Sequence, residues 1–577
     1  MNSEIKPGGE IILTVSGMSN DGRAISRTKE GLAVFVEDAL PGQTVRARIL
    51  SIHKRHADAV CTEILEHSQK EREPECPHAG KCGGCPWAAL PYAEQLKCKR
   101  QIVLDCFRRL GHLDLSDADV PLPVSQFDES DSPKYYRNKI EFSFKTDSHT
   151  RIGFKRRRSS ELMEVGSCLL LRPETEIILK HVRTFLNGRS VPFLRYLVLR
   201  SPLNAYSDAE AKPVPQNTCS NAQSPAPDSE RRPALRLFTA EIIIGPCSES
   251  GVAFSEKMAK SLCMHVPALT GALVSMRKDK SDVAYGERIV CKVGQTVLHE
   301  NMTLRSCSAL PCNPSASGKT ICKLRDQEGC GDHAPDPNST CDAPEAFSSI
   351  RLKLGAKAFF QVNTHAAELL YGAVFKFAGI AKKECPESFL GTGDAVIWDV
   401  YGGIGGIALA LAPYAPCGRI FGLESTAESV QLARENAADA FRSGTMGSKA
   451  PHYRFYHADA DRLESLVKES GRVPGCIVLD PPRAGLSTKV RESLKRLLPS
   501  SLILVSCDPA TLARDLADLI SCYRIRAIRL VDLFPNTPHI ETVSLLLREK
   551  DHSVLQSTLE YRKKQQHESM GKSYFQK

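Results

Sequence analysis

The chain has no uninterrupted apolar stretch approaching about 18 residues, so no membrane-spanning helix is expected. Its opening residues show no basic head followed by an apolar run, so no secretory signal is expected either. The net charge of +9 is small for 577 residues and favours an anionic partner only weakly. No internal repeat is evident. These absences predict a soluble, monomeric protein of the cytoplasm.

A disulfide framework is also not expected. The 21 cysteines are an odd number scattered along a long chain, which is typical of a reducing compartment and not of a secreted scaffold. We therefore expect thiols to act as metal ligands, as a nucleophile or as small core residues. The length exceeds what one hydrophobic core supports, so roughly two to four domains are expected.

The first of these domains is predicted over residues 8–67 as a small OB-like β-barrel, because short strand patterns alternate there with turn signals. Turns are expected at Gly22 and Gly42. Strand spacing alone leaves open whether the barrel binds RNA or has no special role. The strand candidates are Glu10–Val15, Leu32–Val36 and Thr44–Ile49.

An α+β central domain is predicted over residues 69–353, with two insertions near 205–233 and 307–347. The insertions lack helical or strand periodicity and are expected to be surface loops with disorder. The cysteines of the second insertion match no common metal-site spacing; they are Cys307, Cys312, Cys322, Cys330 and Cys341. A polar tail is predicted over residues 550–577.

Strand and helix patterns alternate over residues 354–549, which predicts an α/β fold with a doubly wound parallel sheet. The clearest helix candidate is Thr426–Phe441. The strand candidates are Ala395–Val400, Arg419–Leu423, Tyr453–Tyr456, Cys476–Leu479, Ser501–Val505, Ile525–Leu530 and Val543–Leu547.

A nucleotide-like cofactor is indicated where the first of these strands runs into the glycine-rich turn 402–406. Glu424 ends the second strand, where an acid binds a ribose diol. A nicotinamide dinucleotide would use the same acid, but the turn lacks the full G-x-G-x-x-G and a pyrophosphate seat. S-adenosylmethionine (SAM) needs no such seat. Asp459 after the third strand is expected near the adenine, and Asp480 after the fourth is expected to line the pocket or to cap a helix.

Four cysteines suggest a metal centre after the barrel. Cys76, Cys82 and Cys85 are closely spaced, and Cys168 follows at a distance. Such a set can bind zinc or a [4Fe-4S] cluster, and spacing does not decide between them.

Cys507 and Glu541 offer a thiol and a carboxylate near the end of the last domain. A cysteine at a strand end is more often a small buried residue than a nucleophile. A methyltransferase that attacks an unactivated pyrimidine carbon, however, needs a nucleophile of its own.

These motifs together resemble the SAM-dependent RNA 5-methyluridine methyltransferases, and in particular the branch with an N-terminal TRAM barrel and an iron–sulfur cluster. The resemblance runs from about residue 8 to residue 549, apart from the insertions. The signatures that carry it are YRNKIEF at 136–142, FFQVN at 359–363, DPPRAG at 480–485 and the runs around Cys507 and Glu541.

The resemblance implies a class I (Rossmann-like) methyltransferase fold, with Cys507 as nucleophile and Glu541 as base. It places Gln361, Tyr401 and Gly406 at SAM, and it favours [4Fe-4S] at the four cysteines. RNA is the implied partner. The barrel and the cysteines favour 23S rRNA as target; a tRNA T-loop enzyme and a non-catalytic RNA-binding or assembly protein are the alternatives.

Three positions depart from the family pattern. Gly402 replaces a usual Cys, and Gly406 replaces a common polar residue, so its SAM contact is expected from the backbone alone. Asp508 replaces the usual Asn beside the nucleophile. Its carboxylate would either face Cys507 and oppose thiolate formation or cap the helix that begins at Pro509.

Basic residues gather in two runs between Cys85 and Cys168. Such runs are usually just solvated faces, but near the cysteines and the barrel they are candidates for phosphate contacts. They are Lys97, Lys99, Arg100, Arg108, Arg109, Lys155, Arg156, Arg157 and Arg158.

Overall fold

The computed structural model describes residues 5–157, 159–203, 238–279, 284–304, 349–355, 358–385, 395–443 and 450–549. The expected loops near 205–233 and 307–347, Arg158 and the tail 550–577 lie outside these ranges. No helix in the described parts is long and apolar enough to cross a membrane.

A six-stranded sheet forms the N-terminal barrel. Its strands are β1 (Glu10–Thr14), β2 (Gly17–Met18), β3 (Ala24–Arg27), β4 (Ala33–Glu37), β5 (Thr44–Ile52) and β6 (His56–Glu66). Their order is β1-β5-β6-β4-β3-β2, and the Ser16 amide donates to the Ile25 carbonyl, which curls the β1 end onto β3. Alternate residues such as Val34, Val36 and Val45 are fully buried, as the period of two requires.

Helix α1 (Tyr92–Leu110) follows the cysteine segment and packs against a helix of the C-terminal sheet. The central sheet and its helices come next. They are β7 (Lys139–Thr146), β8 (Thr150–Lys155), β9 (Leu162–Glu164), α2 (Glu174–Leu186), β10 (Leu194–Arg200), β11 (Phe238–Ile244), α3 (Glu249–His265), β12 (Leu269–Met276) and β13 (Arg288–Gly294). The strands of this sheet lie in the order β13-β12-β11-β10-β7-β8-β9. A ribbon of β14 (Leu298–Met302) and β15 (Ile350–Leu354) leads to the last sheet.

The C-terminal sheet has seven strands with helices between them. The strands are β16 (Val396–Val400), β17 (Arg419–Glu424), β18 (His452–His457), β19 (Cys476–Leu479), β20 (Ser501–Ser506), β21 (Tyr523–Val531) and β22 (Glu541–Arg548). The helices are α4 (Thr364–Glu384), α5 (Gly406–Ala410), α6 (Ala427–Arg442), α7 (Leu463–Ser470), α8 (Thr488–Leu497) and α9 (Pro509–Leu519).

The strand order is β18-β17-β16-β19-β20-β22-β21, in which β16 to β20 run parallel and β22 runs antiparallel to β20. Strands such as β16 and β19 are buried along their whole length, as expected for a sheet covered on both faces. The order reverses between β16 and β19, and a ligand crevice lies at such a reversal. The predicted doubly wound fold is confirmed, with boundaries that differ by one or two residues.

Candidate active site

Cys507 lies at the carboxyl end of β20, immediately before α9. Ser506 pairs with Thr542 across the antiparallel β20–β22 ladder. Cys507 and Glu541 each lie one position beyond this last pair, and Glu541 is the nearby charge with the largest effect on the Cys507 thiol, although 34 positions separate them in the chain. Residues facing each other on neighbouring strands lie roughly 5 Å apart. Sheet register thus brings the predicted thiol and carboxyl together.

The Cys507 thiol is half-buried and surrounded mainly by acids. Burial, followed by the charges of Glu541 and Asp480, raises its pKa to about 12, while Arg483 acts in the opposite direction. A thiol with these neighbours is protonated at neutral pH. Reaction as a thiolate therefore requires a base or a compensating positive charge when substrates bind.

Asp508 caps α9, which decides between the two possibilities that the sequence left open. Its Oδ1 accepts from the backbone amides of Ala510 and Thr511, each at 2.9 Å. Pro509 occupies the first helical turn, where its missing N–H costs nothing. The carboxylate is therefore directed at the helix N-terminus, and its remaining effect on the Cys507 pKa is the smallest of the acids there.

Glu541 is buried at the start of β22. Burial, and then the charge of Asp480, raises its pKa well above the ordinary value, and Arg483 opposes that rise. Within the described residues, no hydrogen bond reaches its Oε2. An unsatisfied buried carboxylate oxygen is costly, and it is typical of a group whose partner belongs to a substrate.

Arg483 is the cation of this cluster, and His539 contacts it. The guanidinium nitrogen lies 3.2 Å from Nε2 of His539, to which no role was assigned from sequence. Burial and the nearby Arg483 charge lower the pKa of His539 to about 4, so its ring is neutral and accepts from the guanidinium. His539 therefore holds Arg483, whose charge favours the ionised form of both Cys507 and Glu541.

The glycine turn and Glu424 form the other half of the crevice. Oε2 of Glu424 accepts from the Gly403 amide at 3.1 Å, and Oε1 accepts from the Thr426 amide at 2.7 Å. Tyr401 and Gly405 have φ of +64° and +84°, so the turn relies on left-handed backbone at its edges. These two hydrogen bonds fix the Glu424 carboxylate at the strand end, beside the glycine turn.

Asp459 and Gln361 flank the crevice on different elements. Asp459 is exposed, and its carboxylate caps the short 3-10 turn Ala460–Arg462. Burial, and then the charge of Asp459, raises the pKa of the Tyr401 hydroxyl to about 12. Gln361 is buried, and its backbone carbonyl accepts a hydrogen bond from the side-chain amide of Asn138 at 2.9 Å.

Asp480 is not a helix cap, because α8 begins later with Ser487 as its cap. Burial raises its pKa to about 7. Asp399, in β16, was missed from sequence: it is fully buried, accepts from the Ala408 amide at 2.9 Å, and its pKa is raised to about 7, mainly by burial. An acid within an apolar strand, just before a glycine turn, was the available signal.

Tyr371 of α4 was also missed. A Cβ added at Gly406 would lie 2.8 Å from its hydroxyl oxygen, so the ring occupies the space above this glycine. Burial, then the charges of Asp480 and Asp399, raise the hydroxyl's pKa well above its usual value. Nothing in the local sequence places a residue of α4 there.

The four cysteines gather at one place beside the central sheet. Burial and the three other thiols raise the pKa of Cys85 to about 12, so all four sulfurs face one another. Among described residues, the one set of three ligand atoms within 4.8 Å of each other is His53, His56 and Asp58 of the barrel, where Asp58 is already paired with Arg23. The cysteine sulfurs are therefore spread more widely than that limit.

The cysteine segment and α1 hold the loop that leads to Glu541. The Trp87 amide donates to the Asn536 carbonyl at 3.0 Å, and the Tyr136 hydroxyl donates to the Pro535 carbonyl at 3.0 Å. Lys99 forms a fully buried ion pair with Asp532 at 2.6 Å. The expectation that Lys99 contacts phosphate is therefore wrong, because its ammonium is enclosed by this loop.

Comparisons with known proteins agree with this geometry. The sequence matches the tRNA (Uracil-5-)-methyltransferase family over residues 388–549 and the TRAM domain over residues 6–61. It is 31% identical over 568 residues to an uncharacterized RNA methyltransferase of Nitratidesulfovibrio vulgaris, with 96% of this chain and 99% of the relative covered. A Clostridium acetobutylicum relative, also named an uncharacterized RNA methyltransferase, is 25% identical, with 94% and 98% covered.

Among solved structures, the Pyrococcus abyssi tRNA (uracil-54, C5)-methyltransferase in complex with S-adenosyl-L-homocysteine matches with a TM-score of 0.57. Its identity is 20%, with 93% of this chain and all of that chain covered, so this match speaks for the fold. The fold and site define a SAM-dependent methyltransferase. The chain belongs to the RNA uracil-5 methyltransferase family and carries an N-terminal TRAM domain.

Proposed function

We propose that the protein methylates C5 of uridine in 23S rRNA through a covalent bond between Cys507 and C6 of the base. The observation that carries the proposal is that Cys507 and Glu541 directly flank the last pair of the β20–β22 ladder, Ser506 with Thr542, and that the charge of Arg483 acts on both. The enzyme is proposed to act as a cytoplasmic monomer. Mapping 5-methyluridine in RNA from a strain lacking the protein tests the target: loss from 23S rRNA supports it, and loss from tRNA supports the T-loop alternative.

The residues present fit a Michael-type mechanism. Uracil C5 is a poor nucleophile until Cys507, having lost its thiol proton to solvent, adds to C6 as the thiolate; the C5–C6 double bond opens and its electrons make C5 enolate-like. C5 then attacks the SAM methyl, and the methyl–sulfur bond breaks to release S-adenosylhomocysteine. Glu541 removes the C5 proton, the Sγ–C6 bond breaks, and the ring is restored. The uridine must leave any base stack to reach Cys507, so base flipping is part of the proposal.

SAM is proposed to lie in the crevice at the reversal of strand order. Glu424 would bind the ribose and Asp459 would lie near the adenine. Gln361, Tyr401 and the backbone of Gly406 would contact the rest of the molecule. Asp480 is half-buried directly after β19, and burial raises its pKa to about 7; it is proposed to lie at the methyl-transfer end, where a cationic sulfonium would offset its charge.

Tyr371 is proposed to supply the polar contact that Gly406 lacks. Tyr371→Phe is expected to weaken SAM binding about threefold to tenfold, the effect of one lost hydrogen bond, with the fold intact. Isothermal titration calorimetry with SAM measures this. Tyr523→Phe is the matched control, because it also loses a buried hydroxyl, one bonded to the Pro499 carbonyl at the far edge of the sheet. Equal SAM affinity of Tyr371→Phe and wild type would contradict the assignment.

The cysteine set is proposed to hold a [4Fe-4S] cluster through Cys76, Cys82, Cys85 and Cys168. The effect of the four thiols on one another's pKa supports one shared centre, and the resemblance to the cluster-bearing branch favours [4Fe-4S] over zinc there. The cluster would stabilise the central sheet and the segment that binds the catalytic loop.

Anaerobically purified protein is therefore expected to be brown and to carry about four irons per chain. Elemental analysis and absorbance measure this. Cys85→Ala should lose most of the iron, whereas Cys98→Ala, a half-buried cysteine of α1 outside the set, should retain it. One zinc per chain, or no metal, would exclude the cluster and leave the methyltransferase proposal in place.

A further inference from the structure

The barrel turn Ser19–Arg23, between β2 and β3, is rigid and reaches the catalytic loops. The Ser19 amide donates to the Arg23 carbonyl at 2.8 Å, and the Gly22 amide donates to the Ser19 carbonyl at 3.0 Å. The Ser19 hydroxyl donates to the Asp21 carboxylate at 2.5 Å. A turn closed by these hydrogen bonds has few alternative conformations, so its residues hold a fixed position relative to the loops that they contact.

One side of the turn contacts the nucleophile loop. The side-chain amide of Asn20 donates to Oδ2 of Asp508 at 3.2 Å. Since Oδ1 of Asp508 already caps α9, this bond fixes the second carboxylate oxygen. Asp508 directly follows Cys507, so Asn20 acts on the backbone position of the thiol.

The other side of the turn contacts the base loop. Gly22 has a φ of +82°, and a Cβ added there would lie 2.7 Å from Cγ of Pro538. Pro538 precedes His539 and lies three positions before Glu541. One turn of the barrel therefore touches both loops that carry the reacting side chains.

We propose that Asn20 and Gly22 are positioning residues that set the separation between the Cys507 thiol and the Glu541 carboxyl. The barrel would then help to shape the active site in addition to binding RNA. Its position on the RNA would therefore affect the rate of the reaction. This inference rests on the proposed roles of Cys507 and Glu541.

The charges around the thiol give the proposal a specific signature. Cys507 is faced by Glu541 of β22, by Asp480 and Arg483 of the loop after β19, and by Asp508. Asp508 is itself faced by Cys106 of α1 and by His539. Asn20 adds a neutral donor to this group, so Asn20→Asp would add one negative charge and Asp508→Asn would remove one.

The first test replaces Gly22 with alanine and uses Gly31→Ala as its control. Both glycines have φ near +85°, at +82° and +86°, so both substitutions strain a barrel turn alike. A Cβ added at Gly22 would clash with Pro538, which lies in the loop before Glu541. A Cβ added at Gly31 would have no atom within 4 Å. Gly22→Ala is expected to lower kcat about tenfold to a hundredfold with RNA affinity within about twofold, as misplaced groups do. Equal kcat in the two variants would overturn the proposal.

The second test measures the rate at which iodoacetamide alkylates Cys507, followed by peptide mass spectrometry across pH. Asp508→Asn should lower the thiol pKa and speed labelling roughly twofold to fivefold at fixed pH, and Asn20→Asp should slow it similarly. The exchange Asn20→Asp with Asp508→Asn restores one carboxylate and one amide in contact. It should return the rate and kcat close to wild type.

Each single variant breaks the Asn20–Asp508 hydrogen bond and should lower kcat, so kcat losses that add in the double variant, where the exchange should restore kcat, would refute the contact. Labelling needs neither RNA nor SAM, so it decides this inference separately from the proposed function. Wild-type protein that forms no 5-methyluridine, yet shows the labelling pattern, would refute the proposed function and retain the positioning contact. Normal methylation by the wild type, together with a Cys507 labelling rate that is unchanged in all three variants, would support the proposed function and refute the positioning contact.

Discussion

Cys507→Ala is expected to abolish 5-methyluridine formation, with a rate loss on the order of 10⁴-fold or more, because C5 has no other route to activation. SAM affinity should stay within about twofold of wild type, since the thiol acts on the base. Transfer of labelled methyl to the target RNA and calorimetry with SAM measure the two effects.

Cys522→Ala is the control for this variant. Cys522 is a partly buried thiol in the turn between α9 and β21, away from the strand ends that form the site. Normal methylation by the Cys522 variant would tie the loss to position 507. Substantial turnover by Cys507→Ala would remove the thiol from the mechanism and favour a direct transfer.

Glu541→Gln is expected to permit methyl transfer and to block release. The amide cannot take the C5 proton, so the bond between Cys507 and C6 would persist and a protein–RNA adduct would accumulate. Turnover should fall by roughly 10²- to 10⁴-fold, the usual contribution of a general base. Denaturing gels with labelled RNA detect the adduct, and mass spectrometry of its nucleotide detects the added methyl.

The double variant Cys507→Ala with Glu541→Gln supplies the control, because it should form no adduct under the same conditions. The result that would reject Glu541 as the base is normal turnover by Glu541→Gln without a trapped species. An adduct without the methyl would instead indicate that the carboxyl acts before transfer.

The structure explains why the Glu541 carboxyl needs help to act as a base. Its pKa is raised by burial and by Asp480, and the opposing cation is Arg483, held by a neutral His539. The sequence marked Glu541 and Arg483 by their motifs. The role of His539 depends on the tertiary structure, because the folding of the loop 532–541 places its ring against Arg483.

Much of the fold followed from the sequence because its signals are local. Apolar runs of strand length, a glycine turn after the first strand, and acids at strand ends together predict a doubly wound sheet with a ligand crevice. The same logic placed Glu424, Asp459 and Asp480 at one edge, since the carboxyl ends of parallel strands meet there. The capping of α9 by Asp508 was one of two options that local chemistry allowed.

The rest depended on packing between distant segments. Lys99 belongs to a basic run, yet it is buried against Asp532 because α1 lies on the catalytic loop. Tyr371 fills the space above Gly406 because α4 crosses the sheet there. No periodicity or spacing in the sequence indicates either placement.

The sequence by itself determined the strands and helices, the strand-end acids, and the thiol and carboxylate of the site, because each depends on near neighbours in the chain. Only the tertiary structure decided that register brings Cys507 near Glu541 and that Asn20 meets Asp508 across 488 positions. Such contacts form when whole elements bury their apolar faces against each other, and that packing sets distances that no local preference contains.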